Sequence, residues 1–316
     1  MALAVKTMAA IDAALEADQG ATFRTKLRSL LPLAEDAYRG EEGPFRAHLG
    51  ASIIGRECTR EIWNSFHWVT RPKFKGRILR LFNRGHLEEP RIVALLLMIG
   101  CQFWQFDANG KQFRISGHKG HFGGSMDGVV QGIPDLPDEP LVAEFKTHGS
   151  KSFYKMAGKL VEDALGNSNW VGGEGVIKAK WEHFIQMQVY MGKNGLRWAL
   201  YMAVCKDDDH IYAELVAFDQ AQYERALARS ATVIDAEAAP QRINPSPGWF
   251  GCRFCDHKPV CHGATEPARN CRTCSHAKVK DEGLWVCINE PRTLDEKAQL
   301  QGCDSYSVNL TIKSKP

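Results

Sequence analysis

The chain has 316 residues, 44% of them hydrophobic and 24% charged, with a formal net charge of +3. That length allows one large domain, or one domain with a small appendage, and the composition is that of an ordinary globular protein whose near-neutral balance names no partner. Lys6 interrupts the apolar start, and the longest apolar run, Ile92 to Ile99, is far short of a membrane span; neither a secretory leader nor a membrane anchor is expected, and the cytoplasm is the expected compartment.

Residues 1–48 read as peripheral helix, Ala-rich MAAIDAALEA and then amphipathic FRTKLRSLLPLAEDAYRG, with no chemistry of their own. In ASIIGRECTREIWNSFHW, Ser52 is a candidate helix cap and Cys58 sits on or near the helix that follows. Residues 56–84 hold eight Lys or Arg against two acids, with Trp63, Phe66, Trp68, Phe74 and Phe82 interleaved. Such a stretch suits a groove that tracks a nucleic-acid backbone, or a solvated helix face over an aromatic core.

Arg77 to Gly100 reads as a long helix containing RGHLEEPRIVALL. Glu89, four residues after Gly85 and just before Pro90, is the candidate carboxylate, with Glu88 and His86 as alternatives. A solvated pair of acids is the plainer reading. Phe103 to His121 reads as strands around an Asn109-Gly110 turn.

Gly123 to Thr147 carries the densest signal. A strand ending at Asp127 (SMDGVV) leads into a Gly, Pro and Asp-rich turn (QGIPDLPDEP) and a second strand (LVAEFKT). Strand side chains alternate, so Glu144 and Lys146 share a face while Phe145 points into a core. With Asp127 returning from the partner strand, these residues form an oxygen-rich site with a cation at its edge. Mg²⁺ and Mn²⁺ bind such carboxylates and complete their shells with water and substrate phosphate. A surface salt bridge on an edge strand is the competing reading.

Lys151 to Gly175 reads as a Gly-rich connection whose Phe153, Tyr154 and Trp170 contact either a DNA end or the core. Trp181 to Met191 (WEHFIQMQVYM) is a helix on which Gln186 and Tyr190 share a face. A strand pair, Leu196 to Cys205 and His210 to Phe218, precedes a helix over Gln220 to Glu237. The order is that of an α/β fold with a central mixed sheet flanked by helices.

Ten cysteines are many for a cytoplasmic chain. Cys101 and Cys205 lie in apolar runs and read as core. Cys252, Cys255 and Cys261 form C-x2-C-x5-C and need a fourth ligand, for which Cys58, His257 and His262 are the candidates. Cys271, Cys274, Cys287 and Cys303 have the spacing of an irregular zinc ribbon, with His276 as a spare ligand. A region of this size builds little core, so a Zn²⁺ staple is expected there. Residues 241–316 carry eleven Lys or Arg against eight acids, which suits nucleic-acid contact or protein docking.

The Asp127…Glu144-x-Lys146 arrangement resembles the PD-(D/E)XK nuclease superfamily. Glu89 and Gln186-x-x-x-Tyr190 fall in the order of its RecB/YqaJ-like branch, over about residues 50–262. The resemblance implies a restriction-endonuclease-like core and a Mg²⁺- or Mn²⁺-dependent deoxyribonuclease, an exonuclease rather than an endonuclease, serving recombination, repair or phage DNA processing. It implies metal held by Glu89, Asp127, Glu144 and the carbonyl of Phe145, water positioned by Lys146, and a strand oriented by Gln186 and Tyr190. Cys58 with the Cys252, Cys255 and Cys261 trio is similar to the AddB-type nucleases that bind a [4Fe–4S] cluster, which would tie the two ends of the core together. DNA is then the expected partner, with a single-strand annealing protein or helicase beside it, in a bacterial or phage-infected cell.

The expected partition is therefore an N-terminal helical segment (1–48), a nuclease core closed by the cluster (49–262) and a zinc-ribbon-like domain (263–316). Two further readings are a non-catalytic DNA- or protein-binding module on the same scaffold, and an iron–sulfur electron carrier. Against the carrier, no Gly-rich dinucleotide loop is evident.

Overall fold

The computed structural model describes residues 2–34, 45–162 and 168–313. The end of the second N-terminal segment, residues 35–44, and residues 163–167 of the Gly-rich connection lie outside the described residues. Among the described residues no helix is long and apolar enough to cross a membrane.

The chain forms two compact units, each assembled from three separate stretches: Met1–Glu41, Phe74–Ile115 and Ser125–Tyr223 in the first, Glu42–Lys73, Ser116–Gly124 and Glu224–Pro316 in the second. This differs from the expected partition. The N-terminal segment belongs with the sheet, and the tail belongs with the segment around Cys58.

The first unit has the expected mixed α/β architecture. Its strands are β1 (Ala2–Leu3), β2 (Gln102–Trp104), β3 (Gly128–Gln131), β4 (Leu141–His148), the β5–β6 hairpin (Gly158–Glu162, Ser168–Gly172), β7 (Trp198–Cys205) and β8 (Ile211–Ala217). Six of them form the sheet in the order β1-β8-β7-β4-β3-β2. Only β4 and β7 run parallel; the other pairs are antiparallel. Alternation along β4 places Leu141, Ala143 and Phe145 in the core beside Leu200, Met202 and Val204 of β7.

Helices α1 (Val5–Asp18), α2 (Ala21–Ala34) and α3 (Gly76–Met98) bring Ile11, Ile92, Val93 and Leu96 to that core. The N-terminal segment is thus integral and not peripheral. β1 extends the sheet, and the Asp135 carboxylate accepts the backbone N–H groups of Lys6 and Thr7 at 3.1 and 2.6 Å, satisfying orphan donors of α1. α4 (Ser150–Ala157) and α5 (Trp181–Asn194) follow β4 and precede β7.

The described residues of the Gly-rich connection include α4 and the β5–β6 hairpin. Gly158 has φ +88°, and a Cβ there would come within 2.0 Å of the Val171 carbonyl oxygen, so this position admits only glycine. Phe153, Tyr154 and Trp170 pack on one another with ring centroids 5.3 to 6.0 Å apart. Phe153 and Trp170 are buried, which is the core alternative for this trio.

The second unit is built on the Thr59–Phe66 helix and a three-stranded sheet, Ala277–Val279, Trp285–Cys287 and Arg292–Leu294. The cap of that helix is Cys58, whose sulfur accepts the Glu61 N–H at 3.4 Å; Ser52 lies in a separate 3-10 turn. Arg60 donates to the carbonyls of Pro240, Thr311 and Ile312, and the Trp63 indole donates to the Ala236 carbonyl. Both long side chains therefore sew the helix to distant backbone. Arg272 is 3% exposed, its guanidinium 3.8 Å from the ring centroid of Trp68 and 4.8 Å from that of Trp285. It donates to the Gln299 side chain and to the carbonyls of Phe66 and Ala47. Trp63, Phe66 and Trp68 are thus core aromatics, while Phe74 and Phe82, in the first unit, are exposed and meet edge to face.

Candidate active site

Asp127 lies in a bend immediately before β3, not in the strand expected to contain it. Antiparallel pairing of β3 with β4 begins at Gly128 and Ala143. Beyond that point the Asp127 Oδ2 atom accepts the Phe145 N–H at 2.7 Å, so a side chain takes the place of the next ladder carbonyl. Gly128 is required beside it, because a Cβ there would come 2.5 Å from the Phe103 ring.

Glu144 is wholly buried and Lys146 is half-buried on the same face of β4. The Lys146 ammonium donates to Glu144 Oε1 and, at 3.1 Å, to the Phe145 carbonyl. Glu144 Oε2 is buried with no hydrogen-bond partner among the described residues. A buried carboxylate oxygen without a donor is costly unless a cation or proton meets it.

Three residues on α3 were candidates for the helical carboxylate. Glu88 is buried and paired with Arg91 at 3.1 Å, and His86 is exposed. Glu89 is the one that faces the cluster. Its carboxyl is pushed up to about 8, first by burial and then by the charge of Asp127, with Lys146 opposing and Glu144 adding. Burial also raises Glu144, to about 7, against the pull of Lys146. Burial alone would lower Lys146, but Glu144, Asp127 and Glu89 hold it above its ordinary value. Phe82, His86, Glu89, Lys146 and Lys206 line a cleft of about 410 Å³.

Gln186 and Tyr190 are buried on α5. The Gln186 amide donates to the Tyr190 hydroxyl at 3.1 Å, and that hydroxyl donates to the Ser125 carbonyl at 2.8 Å. The pair buttresses the backbone two residues before Asp127.

Sequence reasoning missed a second layer. Tyr201 is the register partner of Glu144 on β7. Its hydroxyl lies 2.9 Å from His148 Nε2 and 3.0 Å from His183 Nδ1. Burial holds both imidazoles far below their ordinary value, with Lys146 and Lys180 adding to the effect, so they are neutral hydrogen-bonding groups. The period of two that pairs Glu144 with Lys146 continues to His148 and was the available signal.

The cysteines also converge. Cys58, Cys252, Cys255 and Cys261 line one cavity of about 20 Å³ together with His257 and His262. His262 Nε2 is 3.6 Å from the Cys252 sulfur, while His257 Nε2 is engaged by the Ser65 hydroxyl at 2.9 Å. In the tail, burial raises the Cys271 thiol to about 11, and the charges of Cys303, Cys274 and Cys287 add to the shift in that order. Backbone N–H groups of Ser307 and Glu290 donate to Cys274 and Cys287, each at 3.4 Å. As the side chains stand, no three His, Cys, Asp or Glu groups among the described residues are drawn together tightly enough to hold a metal ion. At the carboxylate site the Lys146 ammonium takes up Glu144 Oε1 and the Phe145 carbonyl, two of the oxygens expected to face a cation. The orphaned Glu144 Oε2 and the hard-oxygen donor set fit a divalent ion, and the all-thiol tail set fits zinc.

No family model matches the chain, and no curated protein matches it. Among solved structures it is similar to an alkaline exonuclease (LHK-Exo) from Laribacter hongkongensis, with 16% identity over 59% of this chain and 86% of that one and a TM-score of 0.39. It is likewise similar to LHK-Exo in complex with dAMP, at 16% identity, the same coverage and a TM-score of 0.40. A third similar structure, SSO0001, is 14% identical over 77% of this chain and 96% of that one, with a TM-score of 0.36.

Proposed function

We propose that the chain is a metal-dependent deoxyribonuclease, working as an exonuclease in recombination, repair or phage DNA processing. The observation that carries this reading is the convergence of Glu89, Asp127, Glu144 and Lys146, with one buried oxygen of Glu144 left without a donor. Asp127, Glu144, the Phe145 carbonyl and Glu89 would hold Mg²⁺ or Mn²⁺. When bound, such an ion supplies Lewis acidity and charge for the phosphodiester in hydrolysis. Lys146, released from Glu144, orients the attacking water and offsets negative charge developing on the phosphate. Asp127 keeps the Phe145 carbonyl in register through its bond to the Phe145 N–H. Gln186 and Tyr190 act as positioning residues behind Ser125.

The Cys271, Cys274, Cys287 and Cys303 set is a structural Zn²⁺ site in this reading. Cys58, Cys252, Cys255 and Cys261 form a second metal staple. The cavity of about 20 Å³ would take one zinc ion once the thiols close in, or a [4Fe–4S] cluster once they spread. DNA is the substrate, with an annealing protein or helicase as partner, in the cytoplasm of a bacterial or phage-infected cell.

Lys146→Ala tests the assignment. It abolishes Mg²⁺- or Mn²⁺-dependent cleavage of linear DNA and leaves DNA binding intact; full activity in that variant overturns the reading. The ion pair that occupies Glu144 favours one alternative, a binding module that no longer cleaves. In that case neither parent nor variant cuts DNA at any divalent ion concentration.

A further inference from the structure

Two of the most exposed large apolar side chains among the described residues are phenylalanines four positions apart, Phe250 at 77% and Phe254 at 80% exposure. They flank Cys252 in GWFGCRFC, a segment of the second unit. Leaving two rings in water is unfavourable, and the local backbone enforces it. Cys252 is buried, and its N–H bonds to the Trp249 carbonyl at 3.0 Å. The N–H of Arg253 bonds to the Phe250 carbonyl at 3.1 Å, and that of Cys255 to the Cys252 carbonyl at 3.4 Å. Trp249 folds over Gly251 so closely that a Cβ at that position would come 2.0 Å from its ring. Tight turns on both sides of a buried cysteine thus hold Phe250 and Phe254 out from the surface.

The surroundings are cationic. Arg253 stands between the rings in sequence, its guanidinium 5.4 Å from the Phe254 centroid. Residues 242–262 hold Arg242, Arg253 and Lys258 against the single acid Asp256. A protein partner would need a continuous apolar patch of a few hundred Å². Two rings separated by Gly251 and Arg253 offer instead what unpaired bases use: flat π faces with cations nearby for the phosphates.

We propose that Phe250, Arg253 and Phe254 form a stacking platform for single-stranded nucleic acid, taking two bases of any sequence on the rings and a phosphate on the guanidinium. The platform does not rest on the hydrolytic reading, and its test does not measure cleavage.

The experiment uses the full chain as purified, in buffer free of Mg²⁺ and Mn²⁺, and reads the anisotropy of fluorescein-labelled dT20 against a blunt duplex of equal length. Phe250→Ala with Phe254→Ala is expected to weaken dT20 binding at least about tenfold, since a stacked ring is worth roughly fivefold or more per base, and to leave the duplex unchanged. Phe250→Trp with Phe254→Trp is expected to retain dT20 affinity, with tryptophan emission quenched on binding. Both variants alter exposed positions, and unchanged circular dichroism and metal content verify their folding. Equal dT20 affinity in the parent and the double alanine variant overturns the platform. Equal losses on dT20 and duplex also overturn it, as does a parent that fails to bind dT20.

Discussion

The Lys146 ammonium is bonded to both Glu144 and the Phe145 carbonyl, and so stands where a divalent ion would meet the same oxygens. Lys146→Met removes the partner of a wholly buried carboxylate. The metal-free protein should lose about 2–3 kcal/mol, below the roughly 3–5 kcal/mol of a fully buried broken pair, because part of the lysine is exposed and Glu144 can take up a proton. Mn²⁺ should bind the variant more tightly than the parent by calorimetry, whereas Lys206→Met, in the same cleft, should change affinity less. Weaker Mn²⁺ binding in the lysine-free site would show that Lys146 assists the ion and does not compete with it.

Two carboxyls that hold protons unusually well make the metal-free stability depend on pH. Unfolded, Glu89 and Glu144 titrate near 4.5; folded, near 8 and 7. Between those values the folded state binds more protons, so these groups make stability fall as pH rises from about 4.5 to 8. Subtracting the stability–pH curve of Glu89→Gln from that of the parent should isolate a negative slope in this window. A flat or positive difference would remove the burial argument for Glu89. Mn²⁺ uptake near pH 7 should also release protons, seen as a buffer-dependent binding enthalpy.

His67 has the opposite sign. Its ring stacks on Trp63 at 3.7 Å, its Nδ1 lies 3.0 Å from the Trp63 carbonyl, and burial lowers it to about 3 from 6.5. Between those values the unfolded state binds the extra proton, so the second unit should lose stability as pH falls from 6.5 toward 3. His67→Gln should flatten that acid limb, followed by tryptophan fluorescence, even if it lowers stability at neutral pH.

Arg272 should resist conservative replacement. Lysine has neither the planar fork that serves Gln299, Phe66 and Ala47 together nor the flat face against Trp68. Arg272→Lys should cost about 3 kcal/mol in urea unfolding of the second unit, since it leaves buried acceptors unmatched. A loss below about 1 kcal/mol would mean that water enters the cage and replaces the lost donors.

Metal analysis after anaerobic purification tests the two proposed metal sites. About two zinc ions and no visible absorbance match a single ion at each cysteine set. About four irons with one zinc in a brown protein would show that the Cys58 set opens around a cluster. Cys271→Ser should remove one zinc in either case.

Where the sequence was legible, a short period or a short spacing carried the information. Glu144 and Lys146 followed from strand alternation, and the tail cysteines from their spacing. The site's other members come from far along the chain. Tyr201 reaches Glu144 by parallel pairing of β4 with β7, and His183 arrives on a helix between them, with no local pattern to mark either. Asp127 was legible as a residue but not as a conformation, because the side-chain bond that replaces a ladder contact just before β3 is invisible to propensity. Trp63, read from sequence as one of the aromatics of a basic stretch, ties its helix to distant backbone together with Arg60. The N-terminal segment was misplaced because a two-residue strand and a cap from Asp135 leave no periodic trace.

The interleaving of the two units fixes an order of events during synthesis. The first unit takes its last stretch from Ser125–Tyr223, so its sheet can close while later residues are still being added. The second cannot. Phe66 and Trp68 leave the ribosome some two hundred residues before Arg272, whose bond to the Phe66 carbonyl spans 206 positions. During that interval the aromatic cage has no cation, and Cys58 is without the cysteine trio that lines its cavity. A chaperone bound to nascent residues 45–70 would therefore be released late, by the arrival of the tail, and early termination would leave a closed sheet trailing an apolar segment with nothing to cover it.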